Sequence, residues 1–401
     1  MAFNSYSPKK NGIIYFDNAA TSFPKPKAVI ESVVDCMTNN GGNPGRSGHR
    51  LSIAAGTIIF EARQAVAALF GIANPMHCIF CANATEALNL AILGLYHPGD
   101  HVITTSMEHN SVIRPLKYLE STGKITLSIA RCTPENGLTP EKLKQLITPA
   151  TSMVVVNHAS NVTGTVQPLR KIGAVCRKKN ICFLVDASQS CGVIPVGMQS
   201  DCIDLLAFSG HKGLYGPMGS GGLVLACDFE ATRLRPLKFG GTGSASDKIE
   251  QPAFLPDCFE SGTPGVAALS GLVAGITHIT ERPDGITGIH RYKKELSAYF
   301  LDKAEHELEG FTCLAPRALI ETGVIAFNLA GLEPSHIAQQ LDERWGILCR
   351  AGLHCSPLAH ESIGTFPRGT LRFSFGIFNT KNEIDTAIEA LKTIRSEAGH
   401  A

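Results

Sequence analysis

Short apolar runs of strand length alternate with helical patterns through the first half of this 401-residue chain. Strands separated by helices need crossover connections, and these build a mostly parallel sheet with helices packed on its faces. The predicted strands are residues 77–81, 101–105, 125–130, 153–157, 182–185, 205–208 and 222–226. The predicted helices of this part are residues 28–37, 51–70, 84–95, 112–120, 140–147 and 169–178. The pattern therefore predicts an α/β fold around a mostly parallel, seven-stranded sheet.

Composition and patterning divide the chain into three parts. Residues 1–24 form an irregular arm, and residues 25–282 form a large domain that also contains a Gly-rich loop at 240–262 and a helix at 265–280. Residues 283–401 are predicted to form a smaller α+β domain. Its predicted elements are helices at 289–308 and 381–397 and four further segments at 324–329, 334–345, 347–350 and 370–375.

The composition argues against several classes of partner. Lys and Arg total 36 and Asp and Glu total 35, so the formal net charge is +1 and we expect no nucleic-acid or membrane partner. No signal peptide is recognised and no stretch approaches the length of a membrane span, so we expect a cytoplasmic protein. Most of the 13 cysteines are then buried thiols. We interpret Cys78 and Cys81 as core thiols in preference to metal ligands.

One lysine follows the end of a predicted buried strand. The apolar run 204–208 stops at Ser209-Gly210-His211-Lys212, which cannot continue a strand. In α/β folds, ligands bind at the C-terminal ends of the strands. Burial there would lower the pKa of Lys212 and leave its amine nucleophilic. The alternative is a surface lysine in a Gly-rich loop.

Other strand ends also carry polar side chains. The segment with Ala84 and Thr85 opens a helix after residues 77–81, where backbone N–H groups can bind a phosphate or simply form a helix cap. His109 could lie flat on a planar ring or be an ordinary loop histidine. Asn161 could donate to a ring oxygen or only shape a turn. Asp186 ends an apolar run, so its carboxylate needs a cation, either a structural Arg or a protonated ring nitrogen.

Together these residues match the needs of one cofactor. They supply a phosphate site, a stacking ring, an acid for a ring nitrogen and an amine for an aldehyde, at successive strand ends. Pyridoxal 5'-phosphate (PLP) needs all four groups. The combination therefore predicts a PLP site, although each signal is weak when taken alone.

Six motifs then carry a resemblance that runs in the same order from about residue 15 to the end of the chain. They are Asp17-Asn18-Ala19-Ala20-Thr21, Asn83-Ala84-Thr85-Glu86-Ala87, Met107-Glu108-His109, Ser160-Asn161-Val162-Thr163-Gly164, Asp186-Ala187-Ser188-Gln189 and Ser209-Gly210-His211-Lys212. The chain resembles the class V, fold-type I PLP enzymes, and within them the cysteine desulfurase and selenocysteine lyase group.

The resemblance implies a role for each candidate residue. Lys212 would attach covalently to the cofactor's aldehyde, Asp186 would pair with the ring nitrogen, Gln189 would contact the ring hydroxyl and His109 would stack on the ring. Asn161 would contact cofactor and substrate. Residues at the phosphate would be Ala84, Thr85, Ser209 and His211. The group is dimeric, so we expect a homodimer in which Thr263 reaches the phosphate of the partner subunit.

Two C-terminal motifs point to the reaction. Arg372 matches the arginine that binds the substrate's α-carboxylate, and the alternative is a surface arginine on a strand. Cys355 matches the nucleophilic cysteine, and the alternative is an inert loop thiol. The resemblance implies that Lys212 removes the Cα proton of L-cysteine and that the Cys355 thiolate takes the sulfur. L-Alanine and a persulfide would result, and a thiol or an acceptor protein would receive the sulfur.

Other functions share parts of this pattern. A selenocysteine lyase, an aminotransferase or another β-lyase of the same class would use the same PLP residues. A thiol- or metal-binding protein would be suggested by the cysteine count alone, and it leaves Asp186, His109 and Lys212 unexplained. Three positions depart from the group's pattern. Leu353 stands where related enzymes often have a second histidine, Ala84 replaces a hydroxyl residue, and Gly213 is an extra residue after Lys212.

Overall fold

The computed structural model describes residues 12–45 and 47–398. Its first elements, in chain order, are β1 (Ile14–Tyr15), α1 (Lys27–Asn39), α2 (Arg50–Phe70), β2 (Cys78–Cys81), α3 (Ala84–Leu95), β3 (Asp100–Thr105), α4 (Asn110–Ser121), β4 (Ile125–Ala130), α5 (Pro140–Leu146), β5 (Thr151–Asn157), α6 (Leu169–Lys178), β6 (Cys182–Asp186), β7 (Leu205–Ser209) and β8 (Gly221–Leu225). The remaining elements are α7 (Val266–Thr280), α8 (Gly285–Glu307), β9 (Phe311–Cys313), β10 (Val324–Leu329), α9 (Pro334–Trp345), β11 (Ile347–Leu348), β12 (Arg350–Gly352), α10 (Pro357–Ser362), β13 (Thr370–Ser374) and α11 (Lys381–Ala398).

The seven strands predicted for the large domain form one sheet, in the order β2-β8-β7-β6-β5-β3-β4. Pairing is parallel from β7 to β4, and β8 runs antiparallel to both of its neighbours. The prediction of a mostly parallel α/β sheet is confirmed. Strands β6, β7 and β8 are buried along their whole length, since helices cover both faces of the sheet.

Local sequence explains where the helices next to the site begin. The Asn83 side chain accepts a hydrogen bond from the Glu86 N–H at 2.9 Å and caps α3. His109 caps α4 in the same way, because its Nδ1 accepts from the Ser111 N–H at 3.1 Å. Each cap lies within four residues of the end of a strand, so the starts of α3 and α4 lie close to the strand ends that carry the predicted site.

The C-terminal part has its own four-stranded sheet, in the order β12-β13-β10-β9, with antiparallel pairing. The prediction of a single element at 347–350 is wrong. It splits into β11, which pairs with β1, and β12, which pairs with β13. The short elements β9 and α10 were not predicted, because three and six residues give too little periodicity to recognise.

The N-terminal arm is more ordered than predicted, and it belongs to the C-terminal part. Residues 1–11 lie outside the described residues. Beyond them, β1 pairs with β11, and Phe16 is fully buried against Phe373 and Phe375. The arm thus joins the second of two hydrophobic clusters, while the first fills the space around the large sheet. The domain boundaries at 24 and 282 stay a prediction.

Helix α2 corrects one expectation from the sequence. By length and composition it could cross a membrane, since an 18-residue window within its 21 residues has a mean hydropathy of 1.4. The statement that no stretch approaches a membrane span is therefore wrong. Core helices pass the same test. In this structure α2 packs against α7, and its buried Arg63 forms an ion pair with Glu260 at 2.5 Å.

Candidate active site

A cavity of about 240 Å³ lies where the C-terminal ends of the central strands meet the C-terminal part. Parallel pairing places Asn157, Asp186 and Ala207 side by side across β5, β6 and β7. Of the predicted site residues, the structure brings these to the cavity wall: Ala84, Thr85, His109, Asn161, Asp186, Gln189, Ser209, His211, Lys212 and Arg372.

Lys212 stands in a tight turn after β7. Two backbone hydrogen bonds of 2.8 Å hold this turn, from the Gly210 N–H to Ser220 and from the Gly216 N–H to Gly210. The side chain is half-buried, and burial lowers the pKa of Lys212 to about 8 while Asp186 acts in the opposite direction. Its Nζ has no hydrogen-bond partner in the part of the chain that the structure describes. The expectation of a lowered pKa is confirmed, and the surface-lysine alternative is wrong.

Asp186 is buried at the end of β6 and lines the cavity. Its Oδ1 accepts hydrogen bonds from the N–H and the hydroxyl of Ser188, at 2.9 Å and 2.5 Å. Among the described residues, no Lys or Arg lies within ion-pair distance of this carboxylate. The structural-arginine alternative is therefore wrong. Asp186 is the buried acid that still needs a cation inside the cavity.

Part of the cavity wall carries neutral polar side chains. The Thr85, Ser111 and His109 side chains form a chain of hydrogen bonds, with Oγ–Oγ and Oγ–Nδ1 distances of 2.8 Å and 2.9 Å. Ser209 Oγ and His211 Nδ1 are buried without a hydrogen-bond partner among the described atoms. Unpaired buried polar groups are costly, so these two groups are suited to bind a polar ligand.

His109 also lines the cavity. Burial lowers the pKa of His109 to about 4, so its imidazole is neutral at pH 7. Because Nδ1 accepts the Ser111 N–H, the ring proton is on Nε2. A neutral imidazole that is held in the cavity wall by its hydrogen bond to Ser111 agrees with a stacking role, which stays a prediction.

Asn161 links the cavity to the segment that carries Cys355. Its Nδ2 donates to the carbonyl of His354 at 2.7 Å, and its Oδ1 accepts from the Ser356 hydroxyl at 2.9 Å. The side chain therefore does more than shape a local turn. Gln189, also in the cavity wall, donates from Nε2 to the carbonyl of Ala19 at 3.0 Å.

Arg372 is one of the most buried side chains, with 1% exposure, so the surface-arginine alternative is wrong. Its Nη2 donates to Asp17 Oδ1 at 2.6 Å and its Nη1 donates to the carbonyl of Asn161 at 2.9 Å. Its Nε has no partner among the described atoms. A fixed guanidinium with a free N–H in a buried cavity is suited to bind a carboxylate.

Cys355 lies near the cavity but not in its wall. It is exposed, and both His354 and Cys355 have positive φ values, of 49° and 60°. Its carbonyl accepts from the Asn110 N–H at 2.8 Å, and its Sγ lies 3.4 Å from Arg350 Nη2. The thiol therefore faces solvent beside a guanidinium, in the polar setting that the sequence predicted.

Most other cysteines have a different environment. Cys78 is buried in the first hydrophobic cluster and Cys81 packs against it, in agreement with their interpretation as core thiols. Burial raises the pKa of Cys78 to about 12, and it raises the pKa of Cys81 as well. Of the described cysteines, only Cys227 and Cys355 are exposed.

Thr263 is the one predicted cofactor residue that the structure does not bring to this cavity. It is exposed in a second cavity of about 530 Å³, together with Gly243 of the 240–262 loop and Lys238. This position does not test the prediction, because Thr263 is expected to act on the partner subunit.

Comparison with known proteins identifies the family. A family profile described as "Aminotransferase class-V" matches residues 14–387. The chain belongs to the class-V aminotransferase family.

Two relatives and one solved structure show how similar the members of this class-V family are. A "probable cysteine desulfurase" of Pyrococcus abyssi is 34% identical over 97% of both chains. One of Borreliella burgdorferi is 33% identical over 96% of this chain and 92% of the relative. The apo structure of a cysteine desulfurase from Thermococcus onnurineus has a TM-score of 0.89 and 31% identity, covering 97% of this chain and 96% of that one.

The cavity of this class-V protein fits PLP. The unpartnered Ser209 Oγ and His211 Nδ1 are suited to a phosphate, Asp186 lacks a cation, and the Lys212 amine has no partner among the described residues. A small polar cavity with these donors matches the phosphate, the ring nitrogen and the aldehyde.

Four residues of this site were missed from the sequence. The signals for Ser188 and Ser111 were local, because each follows a site residue by two positions, the spacing of side-chain turns. Asp17 and Ser356 had no such signal, since their partners Arg372 and Asn161 are distant in sequence.

Proposed function

We propose that this protein is a PLP-dependent cysteine desulfurase. The observation that carries the proposal is the exposed Cys355, whose Sγ lies 3.4 Å from Arg350 beside a cavity that holds Lys212 and Arg372. An aminotransferase needs the lysine and the arginine, but it has no use for an accessible thiol at this point. The desulfurase names of the relatives support the same reaction.

The cavity residues bind and orient the substrate. Arg372 would bind the α-carboxylate through the N–H groups that Asp17 and Asn161 leave available. When bound, PLP supplies an electron sink for the substrate's Cα, provided that its ring nitrogen stays protonated. Asp186 would hold that proton. Lys212, whose pKa burial lowers to about 8, would remove the Cα proton as a neutral amine.

The Cys355 thiolate would then take the sulfur. It attacks the substrate sulfur, so a new S–S bond forms while the Cβ–S bond breaks, and the substrate carbon keeps the electron pair and gains a proton. L-Cysteine and the Cys355 thiol thus become L-alanine and a persulfide, with no outside oxidant or reductant. The exposed position of Cys355 would let a thiol or an acceptor protein collect the sulfur.

We also propose a homodimer. Several large apolar side chains are exposed on α1 and α2, the two helices that pack against α7, and on the loop that precedes α7. They are Ile30, Val34, Met37, Leu51, Ile53, Phe60, Leu237, Phe239, Ile249 and Phe254. Monomers rarely expose so much apolar surface, so a second copy would cover it and could bring Thr263 to the partner subunit. A cytoplasmic location stays a prediction.

The test is to incubate the PLP-loaded protein with L-cysteine, to quantify L-alanine and to map persulfide by peptide mass. Cys355→Ser should lower alanine production by about a hundredfold or more, because the substrate sulfur has lost its acceptor. Cofactor binding should be unchanged, since Cys355 does not line the cavity.

Cys227→Ser is the matched control, because Cys227 is the other exposed cysteine, and it should behave as the parent. Keto-acid product in place of alanine would favour an aminotransferase. Alanine and bound sulfur at the parental rate from Cys355→Ser would reject the proposed role of this thiol.

A further inference from the structure

The carbonyl of His211 accepts hydrogen bonds from an unusual number of donors. The Ser22 N–H lies at 3.0 Å, and the hydroxyls of Thr21 and Ser22 both lie at 3.1 Å. Lys25 Nζ is the fourth donor, at 2.9 Å. A carbonyl oxygen has two lone pairs, so four donors exceed what is needed to satisfy it.

Lys25 brings a positive charge close to His211 that no other group at the site uses. The residues expected at the phosphate, Thr85, Ser209 and His211, are neutral, because burial lowers the pKa of His211 to about 4. Of the cationic side chains in the cavity wall, Arg350 contacts Cys355 and Arg372 contacts Asp17. Lys212 is the residue expected to attach to the cofactor's aldehyde.

Lys25 is itself half-buried and lacks a counterion. Its Nζ donates to the Ser22 hydroxyl at 2.8 Å and to the His211 carbonyl, and no acidic side chain pairs with it among the described residues. Burial lowers the pKa of Lys25 to about 7, and its positive charge acts on the neighbouring imidazole of His211. A buried ammonium without an anion is stabilised when an anion binds nearby.

We propose that Lys25 is a positioning residue for the cofactor's phosphate. It fixes the His211 turn through its hydrogen bond to the His211 carbonyl, and it supplies the positive charge that Thr85, Ser209 and His211 lack. It acts through His211 and does not line the cavity. The inference rests on the proposed cofactor. It assigns a function to residues Thr21–Lys25, at the junction of the arm and the large domain, which have no part in the proposed reaction.

The test compares two probes, PLP and pyridoxal, which differ only in the phosphate. Apo-protein is titrated with each probe and binding is followed by absorbance. Lys25→Met should raise the Kd for PLP by about tenfold and leave the Kd for pyridoxal within about twofold, because only PLP carries the dianion. Lys25→Arg should restore most of the PLP affinity, since it keeps the charge and a donor.

Lys27→Met is the matched control, because Lys27 is exposed and paired with Glu31 at 2.9 Å, and it should match the parent. Lys25→Gln provides a second neutral variant, and thermal unfolding of each apo-protein checks folding. Equal weakening for both probes, or no weakening, would overturn the charge role. A parent chain that binds neither probe would instead overturn the proposed function, so the two failures are distinguishable.

Discussion

The Lys212 turn and the Cys355 segment lie at neighbouring places but are built in opposite ways. The Lys212 turn is held by its own backbone hydrogen bonds and by donors from Thr21, Ser22 and Lys25, and its lysine is half-buried. Cys355 is exposed, and both Cys355 and the preceding His354 have positive φ values. A group that must stay in register with a cofactor is fixed, whereas a group that must deliver sulfur to another molecule is accessible.

The same contrast separates Cys355 from the other thiols. Burial raises the pKa of ten of them, so these thiols ionise less readily than a free cysteine. Exposure and the Arg350 contact distinguish Cys355, and the count of 13 cysteines has no functional meaning of its own.

The largest effect should come from substitution of Asp186, the buried acid near the fixed Lys212 turn. Asp186→Asn keeps an oxygen for the Ser188 hydrogen bonds but removes the charge. We expect alanine production to fall by about a hundredfold or more, because the ring nitrogen loses its acid. Alkylation of Cys355 by iodoacetamide should be unchanged. Asp228→Asn, at an exposed carboxylate, serves as the control, and altered Cys355 alkylation would show that the two regions are not separate.

A smaller effect should come from loss of the hydrogen bond between Ser356 and Asn161, which links the Cys355 segment to the cavity. Ser356→Ala removes the hydroxyl that donates to Asn161 Oδ1 and loosens the Cys355 segment. We expect alanine and persulfide formation to fall by about tenfold with unchanged PLP affinity, since loss of a buried hydrogen bond costs about 1–3 kcal/mol. Ser362→Ala, in the following helix α10, is the matched control. Weaker PLP binding in Ser356→Ala would argue against a separate function for this segment.

The sequence predicted the fixed region around Lys212 better than the exposed region around Cys355. Runs such as Met153-Val154-Val155-Val156 identify buried parallel strands, and the residues that follow such strands must meet at one edge. The contact between Arg372 and Asp17 joins positions 355 residues apart, and neither local spacing nor periodicity can predict it. The same holds for the donors to His211, because nothing local indicates that the arm returns to the turn.

The smallest effect concerns a buried acid beside His109. Burial raises the pKa of Glu108 to about 8, and its Oε1 accepts from the Thr105 hydroxyl at 2.5 Å. The stability that this protonated carboxyl contributes is present below its ordinary pKa of 4.5 and is lost as the pH rises through about 8.

Glu108→Gln cannot ionise, so its unfolding temperature relative to the parent should rise by a few degrees between pH 5 and pH 8. Thermal unfolding of the apo-proteins measures this difference. Glu120→Gln, on the exposed end of α4, should show no such trend. A constant difference across this pH range would mean that Glu108 does not titrate there.

The central claim is that the ε-amine of Lys212 holds the cofactor at the edge of the large sheet. Borohydride reduction of the PLP-loaded protein, followed by peptide mass mapping, tests it most directly. The account predicts the pyridoxyl phosphate mass on the peptide that contains Lys212. The same mass on another lysine such as Lys25, or on no peptide at all, would contradict it.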